Sequence, residues 1–141
     1  MTEYKPGKLE AVSFDENGKE IARTKLVTAG EETSLKVLPE ETCIKADGED
    51  LAYVEIQLTD ANGNLKMLTD KKITVTVEGA GTLLAVGSAN PVSEEKFSDG
   101  SYTSWHGRVL AIVKSTKESG IIKVTASADD MQAVTAEIQA V

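Results

Sequence analysis

Residues 44–64, IKADGEDLAYVEIQLTDANGN, place five carboxylates close to two glycines, Gly48 and Gly63. The stretch is either a cation site or two turns joined by a strand. Between the glycines, Val54, Ile56 and Leu58 alternate with Tyr53, Glu55, Gln57 and Thr59, the period of a strand with one buried face. DANGN mimics the start of a calcium loop, but such a loop has a glycine at its middle and closes on a bidentate glutamate. Gly63 comes too early, and Lys71 stands at the closing position. An Asn-Gly turn accounts for DANGN, and Asp47, Glu49 and Asp50 around Gly48 read as a second turn with solvated acids. Turn, strand, turn is the reading, and no metal site is expected.

The alternation recurs along the chain. KITVTVEG sets Ile73, Val75 and Val77 on one side, IIKVTASA sets Ile122, Val124, Ala126 and Ala128, and AVTAEIQAV sets Val134, Ala136, Ile138 and Ala140. RVLAIVKS is apolar on both faces and is expected to be a central strand covered on both sides. Shorter strands at 34–38 and 81–86 bring the count to about seven, and no segment keeps a helical period. The fold class is therefore all-β, an immunoglobulin-like antiparallel β-sandwich over residues 31–141. Ahead of it, LEAVSF and EIARTKLV flank DENGK, an Asn-Gly turn expected to set a two-residue β-hairpin with positive φ at both centres. One hairpin is too little to fold alone. Residues 1–30 are thus a hairpin and linker that either dock on the sandwich or close a preceding domain.

Fifteen Lys and Arg against 23 Asp and Glu leave a net charge of -8, which disfavours nucleic acid and anionic membrane surfaces as partners. The single cysteine, Cys43, allows neither an internal disulfide nor a cysteine-based zinc cage. No apolar run approaches the ~20 residues of a membrane-spanning helix, and MTEYKPGKLE lacks the apolar region of a secretion signal. There is no G-x-S-x-G, phosphate-binding loop or dinucleotide fingerprint, so no cofactor is expected. The richest segment is FSDGSYTSWHGR, with Tyr102, the only Trp (Trp105) and the only His (His106). These three are the candidate ligand-binding residues, by stacking on a sugar face. Against that, a sandwich poor in aromatics needs one large ring in its core, which Trp105 would supply. His106 beside a glycine reads equally as a loop histidine.

Four motifs, ADG-x-DL-x-YV from Ala46, G-x-G-x-L from Gly79, P-x-S-x-E-x-F from Pro91 and G-x-x-L-x-IV-x-S from Gly107, occur in an order that resembles the C-terminal immunoglobulin-like domain of glycoside hydrolase family 2 enzymes of the β-galactosidase type. YKPGKLEAVSFDENGKEIARTKLVTAG is similar to the closing hairpin of the β-sandwich that precedes it there. Two positions depart from the family pattern: GSANPVS replaces an Asn-Gly pair before the proline, and Cys43 occupies a polar or aliphatic position. The resemblance implies a parent that cleaves terminal β-galactosides with two glutamates on a (β/α)8 barrel. Such a barrel takes about 250 residues and none of it is in this chain, so no catalytic residue carries over. The implied role is a non-catalytic accessory domain packed against other domains of the same parent, itself expected to be periplasmic or extracellular. Unpaired hairpin edges also favour a strand-mediated homodimer of this chain alone. The alternatives are a bacterial immunoglobulin-like adhesin module and a carbohydrate-binding module.

Overall fold

A computed structural model describes residues 5–141. The first four residues of the expected 1–30 unit lie outside the described residues. The elements are β1 (Lys8–Phe14), β2 (Glu20–Val27), β3 (Ser34–Pro39), β4 (Cys43–Ile44), β5 (Leu51–Thr59), β6 (Lys72–Gly79), β7 (Gly81–Gly87), β8 (Ser101–Thr103), β9 (Arg108–Ser115), β10 (Gly120–Ala128) and β11 (Val134–Ala140). All seven expected sandwich strands form. The two further strands, β4 and β8, have 2 and 3 residues, too few to display a period.

Two sheets make the sandwich, in the orders β4-β11-β10-β6-β8 and β3-β5-β9-β7. Pairing is antiparallel except for β4, which runs parallel to β11. Val54, Ile56 and Leu58 of β5 and Val109, Ala111 and Val113 of β9 belong to the same buried core as Ile73 and Val75 of β6 and Ile122, Val124 and Ala126 of β10. Those of β5, β6 and β10 are buried on the side the alternation assigns, and each large aliphatic side chain so placed contributes roughly 1.5–3 kcal/mol. The core therefore closes on itself within the sandwich. Gly79 turns the chain from β6 into β7 at φ 90°, with the Ile121 carbonyl oxygen where a side chain would begin.

Two expectations about the interior need correcting. The large ring in the core is Tyr102 on β8, 2% exposed, whereas Trp105 is only half-buried. β9 is central, between β5 and β7, but only its inner face is buried. Among the described residues its outer face stays open, with Leu110 43% exposed.

The hairpin stands apart. β1 and β2 pair only with each other, and every strand residue except the half-buried Val12 is exposed, so docking on the sandwich is not what the structure shows. Its turn also differs from the expected form. Gly18 N–H donates to the Asp15 carbonyl at 3.0 Å and Asp15 N–H to the Lys19 carbonyl at 2.9 Å, while Gly18 alone has positive φ, 78°. This is a three-residue loop with glycine in the left-handed position. The reason is Asp15, whose Oδ1 accepts from the Asn17 and Lys19 N–H groups at 2.9 and 2.8 Å and so holds Asn17 at negative φ.

Candidate functional site

A tight two-residue turn lies where no Asn-Gly signal marked it, at His106-Gly107. Trp105 and Arg108 exchange both backbone hydrogen bonds, at 3.0 and 3.2 Å, and φ is 51° at His106 and 73° at Gly107. Positive φ at both centres suits the twist of a hairpin, and a histidine tolerates it better than a branched residue would. Four contacts hold the turn. Asp70 Oδ1 accepts from Gly107 N–H at 3.1 Å and from the buried Ser104 hydroxyl at 3.2 Å. Ser104 Oγ accepts from Lys71 N–H at 3.0 Å. His106 Nδ1 lies 3.2 Å from the Met67 carbonyl, for which the nitrogen must carry the proton.

So fixed, Trp105 and His106 meet edge to face at 4.9 Å and form one wall of an open groove of about 870 Å³ on the outer face of the four-stranded sheet. Leu65 and Met67 extend that wall, Leu110, Ile112 and Ala85 make the floor, and Gly87, Ser88, Ala89 and Phe97 stand opposite. Its acidic and basic members are Glu55 and Arg108. Glu55 Oε1 is already engaged by Arg108 Nε at 3.2 Å and Gln57 Nε2 at 2.7 Å. Of the three candidate residues, Trp105 and His106 reach the groove and Tyr102 does not. The Tyr102 ring is in the core, stacked on Phe97 at 5.4 Å and 7°, and Phe97 turns toward the groove in its place. Phe97, Leu110 and Met67 were missed as site residues. The doubly apolar pattern of RVLAIVKS was a signal for Leu110; Phe97 and Met67 lie in loops, where no period marks them.

The acidic turns are caps. Asp47 Oδ1 accepts from the Glu49 and Asp50 N–H groups, both at 2.8 Å, and these bonds, that from Glu49 first, lower its carboxyl from the usual range. Asp60 departs from the expected solvated corner, being 3% exposed. Its Oδ2 accepts from Gly30 N–H at 2.8 Å and Asn64 Nδ2 at 3.0 Å, and its Oδ1 from Asn62 and Asn64 N–H at 2.9 and 2.8 Å. These donors, Gly30 first and the Asn64 side chain next, hold its carboxyl at about 2. Among the described residues no group of three or more His, Cys, Asp or Glu is placed to hold a metal ion, and no helix is long and apolar enough to cross a membrane.

The fold is an antiparallel β-sandwich with capped acids, a mostly apolar groove and a hairpin paired only with itself. Residues 35–137 match the glycoside hydrolase family 2 C-terminal domain 5, and the chain belongs to that family. It is 30% identical over 137 residues to the β-galactosidase BoGH2A of Bacteroides ovatus, covering 97% of this chain and 16% of that protein. A β-galactosidase of Thermoanaerobacter pseudethanolicus is 30% identical over 106 residues, covering 75% of this chain and 12% of that one. The crystal structure of a family 2 glycosyl hydrolase from Bacteroides cellulosilyticus superposes with a TM-score of 0.90 at 34% identity, covering 99% of this chain and 18% of that one. The chain thus spans less than a fifth of these relatives, and it is a non-catalytic C-terminal domain of such enzymes. The adhesin alternative is not favoured.

Proposed function

We propose that this domain is the C-terminal accessory module of a longer protein that hydrolyses terminal non-reducing β-D-galactosides. Residues 31–141 form the module, and residues 1–30 are the closing hairpin of the sandwich before it together with the linker. The observation that carries the reading is the coverage: 97% of this chain aligns with only 16% of a β-galactosidase, and the remainder leaves ample length for a barrel of about 250 residues. The exposed hairpin supports the boundary. Leu9 and Leu26 lie opposite each other, 69% and 71% exposed, as strands do when their covering sheet lies elsewhere.

The role is structural: the module extends the polypeptide beyond the catalytic part and packs against other domains of the same chain. Residues 1–141 and the longer polypeptide, assayed side by side with a chromogenic β-galactoside, test it. Turnover by the longer protein only is expected. Turnover by residues 1–141 above a mock-purified control, or none by the longer protein, would overturn it.

A further inference from the structure

We propose that the groove beside Trp105 is the seat for an apolar surface presented by the N-terminal part of the same polypeptide, the part that enters through the hairpin. This rests on the family reading above and adds to it which face of the module is covered. The two outer faces of the sandwich differ in kind. That of the five-stranded sheet carries exposed Thr74, Thr76, Lys123, Thr135 and Glu137, a solvated face. That of the four-stranded sheet carries Leu110 and Ile112 on a central strand, ringed by Met67, 56% exposed, and Phe97, 59% exposed. A contiguous apolar patch at one place, where the opposite face among the described residues shows the isolated Ile121 amid polar side chains, marks an interaction surface.

The position of the linker says which partner is at hand. Gly30 N–H is held by Asp60, and Lys66 Nζ reaches the Glu31 and Glu32 carbonyls at 2.6 and 3.1 Å and the Thr33 hydroxyl at 2.9 Å. Lys66 lies between Leu65 and Met67, the residues of the groove wall. Register places both features at one end of the sheet: Ser34, next after the linker, pairs with Thr59, while Gln57 pairs with Arg108 and Leu110 with Gly87. The incoming chain is therefore clasped to the wall of the groove, and in relatives more than four-fifths of the polypeptide lies outside this segment. That mass sits close to the groove by covalent connection, at high effective concentration. A sugar fits less well. It needs several polar groups to meet its hydroxyls, whereas the floor is aliphatic and Glu55 Oε1 is already held by Arg108 Nε and Gln57 Nε2.

Hydroxyl-radical footprinting read by mass spectrometry tests this on the longer polypeptide and on residues 1–141, whose sandwich has a complete core of its own. Met67, Trp105 and Phe97 are expected to be oxidised several-fold more slowly in the longer protein, with Ile121 on the other sheet unchanged. Leu110→Asp in the longer protein is expected to restore their oxidation to the level of the short chain, while the short chain carrying the same change still unfolds cooperatively, Leu110 being 43% exposed there. Equal oxidation in the two proteins overturns the proposal even if the longer protein cleaves galactosides. So does protection of the short chain that vanishes on dilution, which would mean a second copy, or protection that appears only with added galactoside, which would mean a sugar site.

Discussion

The chain uses one turn twice, at DENGK and at DANGN, and sets the two copies in opposite surroundings. In both, the aspartate Oδ1 accepts backbone N–H groups two and four residues on, at 2.9 and 2.8 Å. In both, the glycine is left-handed, φ 78° at Gly18 and 79° at Gly63. The local chemistry is the same, and what lies beneath is not. Asp60 caps the end of β5 over a closed core and spends its second oxygen on the linker, whereas Asp15 caps a hairpin whose strands lie exposed. Sequence-local interactions set the turn; only the sandwich supplies the burial that stabilises it.

The sharpest way to break this contrast is to cut equal aliphatic mass from each region. Ile122→Ala removes a fully buried side chain and is expected to lower the stability of residues 1–141 by about 2–5 kcal/mol in urea unfolding. Leu26→Ala in the hairpin is expected to change it by less than about 0.5 kcal/mol. A comparable loss from Leu26→Ala would mean that the hairpin shares the core. Next in size is Gly79→Ala, expected to cost more than about 1 kcal/mol, since φ 90° disfavours any side chain and the Ile121 carbonyl occupies its space.

The two capping aspartates come third. Asp60 has its folded pKa at about 2, below the ~3.9 of an unfolded chain. The stability it contributes is therefore fully present above about pH 4 and is lost as pH falls through about 2. Asp60→Asn is expected to lower the melting temperature at pH 7 and to flatten the acid limb between pH 4 and 2, as followed by circular dichroism, whereas Asp15→Asn is expected to leave the melting temperature at pH 7 unchanged. Identical acid limbs for wild type and Asp60→Asn would remove Asp60 from its clasp. His106→Gly has opposing effects, since it relieves φ 51° but loses the contact to Met67. A net change within about 1 kcal/mol is expected.

The strands were legible because alternation reports burial on one face, and Val54, Ile56 and Leu58 obeyed it. The turns were less so. An Asn-Gly pair indicates a bend, but the neighbouring Asp15 side chain selects the loop, and the tight two-residue turn arose at His106-Gly107 through Asp70, a residue distant in sequence. The site was half legible for a related reason. Aromatic content drew attention to Tyr102, Trp105 and His106, yet pairing of Tyr102 with Ile73 turned that ring inward and left the groove to Phe97, Leu110 and Met67. The double apolar pattern of RVLAIVKS held the information about the outer face, and a cover beyond the described residues is what it asks for.

Native-state hydrogen exchange, followed amide by amide in residues 1–141 and in the longer polypeptide, tests the division of the chain most directly. In the short chain, amides of β5, β9 and β10 are expected to exchange only through global unfolding, while those pairing β1 with β2 exchange orders of magnitude faster by local opening. In the longer protein the hairpin amides should slow to the level of a core strand. Hairpin amides as slow as those of β5 in the short chain, or no slower in the longer protein, would contradict the assignment of the hairpin to a preceding domain.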